Sequence, residues 1–165
     1  MFISLTPLAP FAPHSNRFLR DLNAPYDPST PVSVAFHLVS QQRGWKPGSK
    51  RWRKSWNACM NSEYDRLIGC RVTSLATWQE LCAKVGIEGS FTSINQCKKA
   101  LARVHVNIVD LLDSWNTDST PICFESQKAL ATYTKASNKY FSRQLAKQDK
   151  VLKVLLRHLL WNASL

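Results

Sequence analysis

The chain has 165 residues and a mass of 18.8 kDa, with 22 Lys and Arg against 11 Asp and Glu, a formal charge of +11 and a pI near 9.7. With 44% hydrophobic and 20% charged residues it has the composition of one globular domain, which excludes a disordered or fibrous chain, and its positive excess favours polyanionic partners. No run approaches about 18 uninterrupted apolar residues, so no membrane span is expected.

Residues 1–29 read as a Pro-rich, irregular arm and residues 30–165 as a single helical domain. The opening MFISLTPLAPFAP is apolar but interrupted by Pro7, Pro10 and Pro13, and it lacks a basic n-region, so it makes a poor signal peptide. A short helix suits Asn16 to Leu22 after Ser15, and the three prolines between Ala24 and Pro31 force extended or turned backbone. Thr30 is a candidate N-cap with Pro31 at the first helical position; Val32, Ala35, Phe36 and Val39 share a face, and Gly44 closes that helix. After the linker Gly44–Gly48, Ser49 caps a helix whose stripe is Trp52, Trp56, Cys59, Met60 and Leu67.

Thr73 or Ser74 starts a shorter helix that turns Leu75, Trp78, Leu81, Cys82 and Val85 inward and stops at Gly86. Ser93-Ile94-Asn95-Gln96 has the pattern of a capping box, with Gln96 expected to return a bond to the Ser93 amide. The spacing of Ile94, Cys97, Leu101, Val104, Ile108, Leu111 and Trp115 predicts one long central helix. A loop containing Pro121 follows. Ser126 caps a helix carrying Ala129, Leu130 and Tyr133, and a last helix from Ser142 buries Leu145, Leu152, Leu155, Leu156 and Leu159. The fold class is therefore all-α, a compact orthogonal bundle of five to seven helices.

Cys59, Cys70, Cys82, Cys97 and Cys123 are odd in number and lack metal-ligand spacing. Their pattern suits free thiols, with Cys59, Cys82 and Cys97 inward, and an intracellular protein of the nucleus or cytoplasm. The four histidines are scattered, so no metal or other cofactor is expected. Glu63 falls within an apolar stripe and needs a cationic partner from a neighbouring helix. His105 borders the central stripe as a core histidine, and Asp110 and Asp113 suit surface ion pairs with Lys99 and Arg103. There is no phosphate-binding Gly-rich loop and no nucleophile motif.

Two basic segments carry the functional expectation. Arg43, Lys46, Lys50, Arg51, Arg53 and Lys54 lie together without an acid, interleaved with Trp45, Trp52 and Trp56. Cations neutralise phosphates and indole planes stack on bases, and Trp45, in the linker, is the tryptophan expected to be free for stacking. On the last helix Arg143, Lys147, Lys150, Lys153 and Arg157 project opposite the leucines. The sites expected to bind nucleic acid are thus Arg43, Trp45, Lys46, Lys50, Arg51, Arg53, Lys54, Arg143, Lys147, Lys150 and Arg157.

The block WQELCAKVGIEGSFTSINQCKKALARVHVNIVDLLD, with GWKPGSKRWRKSWNAC upstream and SQKALATYTKASNKYFSRQLAKQDKVLKVLLR downstream, resembles a group of small ascomycete fungal proteins. The resemblance spans most of residues 26–157; it implies a compact helical fold and carries no catalytic residues. Ser142 stands where the group often has proline, which bears on how sharply the last two helices are divided. The expectation is a non-enzymatic binding protein whose basic surface engages DNA or RNA. The alternatives are an adaptor or effector-like protein with an acidic protein partner, or an accessory protein of a biosynthetic gene cluster.

Overall fold

The computed structural model describes residues 15–142, 144–145 and 149–155. Among them the chain is mainly helical, with α1 (Arg17–Asp21), α2 (Val32–Gln42), α3 (Lys50–Leu67), a 3₁₀ turn (Gly69–Arg71), α4 (Leu75–Lys84), α5 (Ile94–Leu101), α6 (Ile108–Thr117), α7 (Gln127–Ser137) and α8 (Lys150–Leu155). A two-residue strand, β1 (His105–Val106), pairs antiparallel with β2 (Cys123–Phe124), placing His105 opposite Phe124. None of the described helices is long and apolar enough to cross a membrane.

The helix ends follow local chemistry. The side chains of Asn16, Ser49, Ser93, Asn107 and Ser126 accept backbone N–H bonds in the first turns of α1, α3, α5, α6 and α7, each satisfying a donor with no intrahelical partner. Gly44 and Gly86 take positive φ just past α2 and α4, where a Cβ would be strained. Two caps depart from expectation. Gln96 Oε1 accepts from the Thr92 amide at 2.8 Å, one residue before the predicted Ser93. Thr30 is not the cap of α2; Pro31 precedes it without a side-chain bond. Asp113 of α6 supplies the missing acceptor, taking the Ser33 amide at 2.9 Å and the Ser33 hydroxyl.

The predicted central helix is two helices. Arg103 and Val104 donate back to Ala100 and Leu101 and close α5, the chain extends through β1, and Asn107 Oδ1 accepts from Val109 and Asp110 to start α6. Asn within a helix competes with the backbone ladder for the same groups, and here its cap prevails. The apolar period runs through the break because both pieces face one core: Cys97, Leu101, Ile108 and Leu111 are all buried.

α2, α3 and α6 pack mutually, α1 lies on α3, α4 on α5, and α5 on α8. Phe36, Trp56, Met60, Tyr64, Trp78, Leu81 and Leu112 form the bulk of the interior. The Pro-rich arm joins this core from Asn16 onward. Leu19 is fully buried, and Asn16 Nδ2 donates to the Cys59 carbonyl at 3.0 Å and to Glu63 at 2.9 Å.

Candidate nucleic-acid interface

Ser49 and Gly48, the latter at φ 77°, turn the chain into α3, and the first two turns of that helix carry Lys50, Arg51, Arg53 and Lys54 with no acid. A helix N-terminus bears positive partial charge, so this clustering opposes the macrodipole and is retained at a small cost in stability. Lys46, Lys50, Arg53 and Lys54 are exposed and form no ion pair among the described residues. Arg43 is engaged, donating to the Leu22 carbonyl at 2.8 Å, and the Arg51 guanidinium lies 5.5 Å from the centre of the Trp45 ring.

The tryptophans are distributed differently from expectation. Trp45 is only 9% exposed, packed on Phe36 at 6.2 Å and covered by Arg51, so it is not the free stacking residue. Its amide bonds the Ser40 carbonyl and folds the linker back onto α2, which takes the indole inward. Trp52 and Trp56, one helical turn apart, stack at 5.3 Å with planes 8° from parallel, and Phe36 meets both edge-on. Trp56 is buried and its Nε1 donates to the Tyr140 carbonyl at 2.8 Å; Trp52 is half-buried, and its Nε1 has no acceptor among the described residues.

These two indoles line a half-open groove of about 740 Å³. α3 contributes Trp52, Arg53, Trp56 and Asn57, α2 contributes His37, and the chain after α7 contributes Asn138 to Ser142 and Gln144. Asn138, at φ 58°, ends α7 and turns the following aromatic pair Tyr140-Phe141 toward α3, where Phe141 meets Tyr64 at 6.0 Å. Tyr140 is 51% exposed. The His37 ring sits 5.7 Å from Trp56 and 6.1 Å from Trp52. Burial lowers its pKa below the ordinary value of 6.5, only partly offset by Asp113, so near neutral pH it is an uncharged donor and acceptor.

The acids near the groove are structural. Asp110 and Asp113 do not pair with Lys99 and Arg103: Asp110 binds Lys139, and Asp113 holds Ser33. Burial raises the Asp113 pKa even though its Ser33 bonds pull the other way. The partner of Glu63 is on its own helix, since Arg66 pairs with it at i, i+3 while Asn16 and Tyr26 bond its oxygens. All five thiols are free; Cys59, Cys82 and Cys97 are buried, while Cys70 and Cys123 are exposed. Burial raises the Cys59 thiol well above its ordinary value and pushes Cys82 up to about 12, so these are not thiolate nucleophiles.

The second basic segment is placed in part. Arg143, Lys147 and Arg157 lie outside the described residues, Lys150 opens α8, and Lys153 is exposed. Ser142 and Gln144, which flank Arg143 in sequence, line the groove. Asp149, immediately before α8, accepts from the Tyr64 hydroxyl at 2.6 Å, which sets the start of α8 roughly 20 Å along α3 from Lys50.

The sequence pattern overlooked His37, Asn57, Asn138 and Tyr140 because none lies in a charge run or an apolar stripe. The available signal was the turn former Asn138 followed by two aromatics, in a segment otherwise read as a link between helices. No family model, curated protein or solved structure matches the chain.

Proposed function

We propose that this is a non-enzymatic binding protein whose basic surface on the linker and first turns of α3 engages nucleic acid. One observation carries this: Lys46, Lys50, Arg53 and Lys54 are exposed without an acidic partner among the described residues, beside a groove walled by stacked indoles. Unpaired cations release counterions on meeting phosphates, and the adjoining aromatic wall adds a surface on which bases can stack. Free thiols accord with the nucleus or cytoplasm as its compartment.

The test is a salt titration of oligonucleotide binding with the wild type and a Lys50→Gln, Arg53→Gln, Lys54→Gln variant. Arg51 is left in place because it covers Trp45. The expected result is weaker binding and a slope of log K against log salt shallower by up to about 0.9 per lost duplex contact, or about 0.7 on single strands. Wild-type affinity no greater than that of an unrelated protein of equal net charge would overturn the proposal.

A second function, docking of an acidic protein, draws on the same exposed cations for charge complementarity and on Val34 and Leu38, an exposed apolar i, i+4 pair at 46% and 53% on α2, for apolar contact. Binding to an acidic protein that survives high salt while oligonucleotide binding is absent would select it.

A further inference from the structure

Resting on the nucleic-acid assignment, we infer that the α2–α3 groove takes one unstacked nucleobase, which makes the protein a reader of single strands and not of duplex. Its dimensions leave room for a base together with its sugar and phosphate. At about 740 Å³ the groove falls in the range of about 300–1,000 Å³ typical of sites for single small molecules, and a paired, stacked base within a duplex has no free face to offer it.

The chemistry of the lining matches the parts of a nucleotide. Trp52, half-buried and braced from behind by Trp56 and Phe36, offers a rigid indole in the groove wall. Tyr140, half-exposed in the segment after α7, is a second stacking surface, and the Trp56 bond uses only its backbone carbonyl. Asn57, Asn138 and Gln144 are exposed amides, each able to donate and accept, as the edge of a base requires. Arg53 lies on the same rim, within the free-cation surface that would carry the flanking phosphates.

An acidic metabolite would lack a use for the stacked wall, and a saccharide would lack a use for the surrounding cations. A nucleotide uses both. The nucleotide can come as part of a strand or as a free monophosphate, and the Trp52 and Tyr140 surfaces suit either.

The experiment measures binding of the full chain to a labelled single-stranded oligonucleotide, to a duplex of equal length, and to AMP. Three proteins are compared: wild type, Tyr140→Ala, and the Lys50, Arg53, Lys54 triple variant. Tyr140 is chosen because its ring is exposed and the carbonyl that holds Trp56 remains in the variant; an unchanged melting temperature verifies that the fold is intact. The wild type is expected to prefer the single strand. Tyr140→Ala is expected to lower single-strand affinity about 5- to 150-fold, the range for losing one base–aromatic stack, and to leave duplex affinity unchanged. A strand as the source predicts AMP binding far weaker than the oligonucleotide; comparable affinities identify the free nucleotide as the ligand of the same groove.

If single strand and duplex bind alike and Tyr140→Ala changes neither, the groove does not read bases. The broader assignment then stands provided the triple variant still weakens both. If the wild type binds no oligonucleotide above a basic control protein, both proposals fall, and measurable AMP binding alone would confine the groove to a metabolite.

Discussion

The two ends of α3 handle charge in opposite ways. At its start Lys50, Arg53 and Lys54 are exposed, clustered with like charge and set against the helix dipole. Toward its end Glu63 and Arg66 are buried, and the carboxylate is also bonded by Asn16 and Tyr26 of the arm. A buried charge is tolerated only when paired and hydrogen-bonded, so the second group is explained by the fold alone. The first group forms no ion pair among the described residues, and the nucleic-acid surface proposed above is what would give it a role.

Separating these roles by substitution begins with the largest effect. Glu63→Ala leaves Arg66 buried without its carboxylate and releases two bonds to the arm, and is expected to cost about 3–5 kcal/mol in urea unfolding. A loss below about 1 kcal/mol would show that the arm and the pair are not coupled to the core. Glu63→Gln, which keeps an acceptor for Asn16, is expected to lie between the wild type and Glu63→Ala.

His37 tests the groove end by pH. Its folded-state pKa is depressed by burial, so as pH falls from 6.5 the unfolded chain takes up the proton first. Stability is therefore full above about 6.5 and declines as pH falls through the lower folded-state value. Melting curves between pH 7.5 and 5 are expected to fall less steeply for His37→Gln than for the wild type; identical slopes would mean that the ring is fully solvated.

The smallest effect is expected from the triple variant of Lys50, Arg53 and Lys54. Its unfolding free energy should stay within about 0.5 kcal/mol of the wild type, with any change toward greater stability, because the removed charges oppose the helix dipole. A clear destabilisation would mean that these cations hold the fold together, and would remove their claim to an external partner.

Much of the fold is legible in the sequence because caps and apolar periods are local. Ser49, Ser93 and Ser126 mark helix starts by themselves, and Trp56, Cys59 and Met60 announce the buried side of α3. The break at Asn107 was hidden because the residues on both sides of it satisfy one period. The groove was hidden for a different reason. Its lining comes from α2, α3 and the chain after α7, and the bond from Trp56 to Tyr140 joins residues 84 positions apart. Trp45 shows the converse error: a linker position suggests exposure, but tertiary packing on Phe36 decides it.

The cap on α2 has a consequence for the order of events on the ribosome. Ser33 waits for Asp113, 80 residues later in the chain. At about 5–20 residues per second, that carboxylate is synthesised some 4–16 s after the amide it receives. During that interval the α2 segment lacks the acceptor that holds its first turn in the folded protein, and that end is open to fraying. Its final boundary is written only when α6 docks, so the amino-terminal half cannot complete its own structure ahead of the rest.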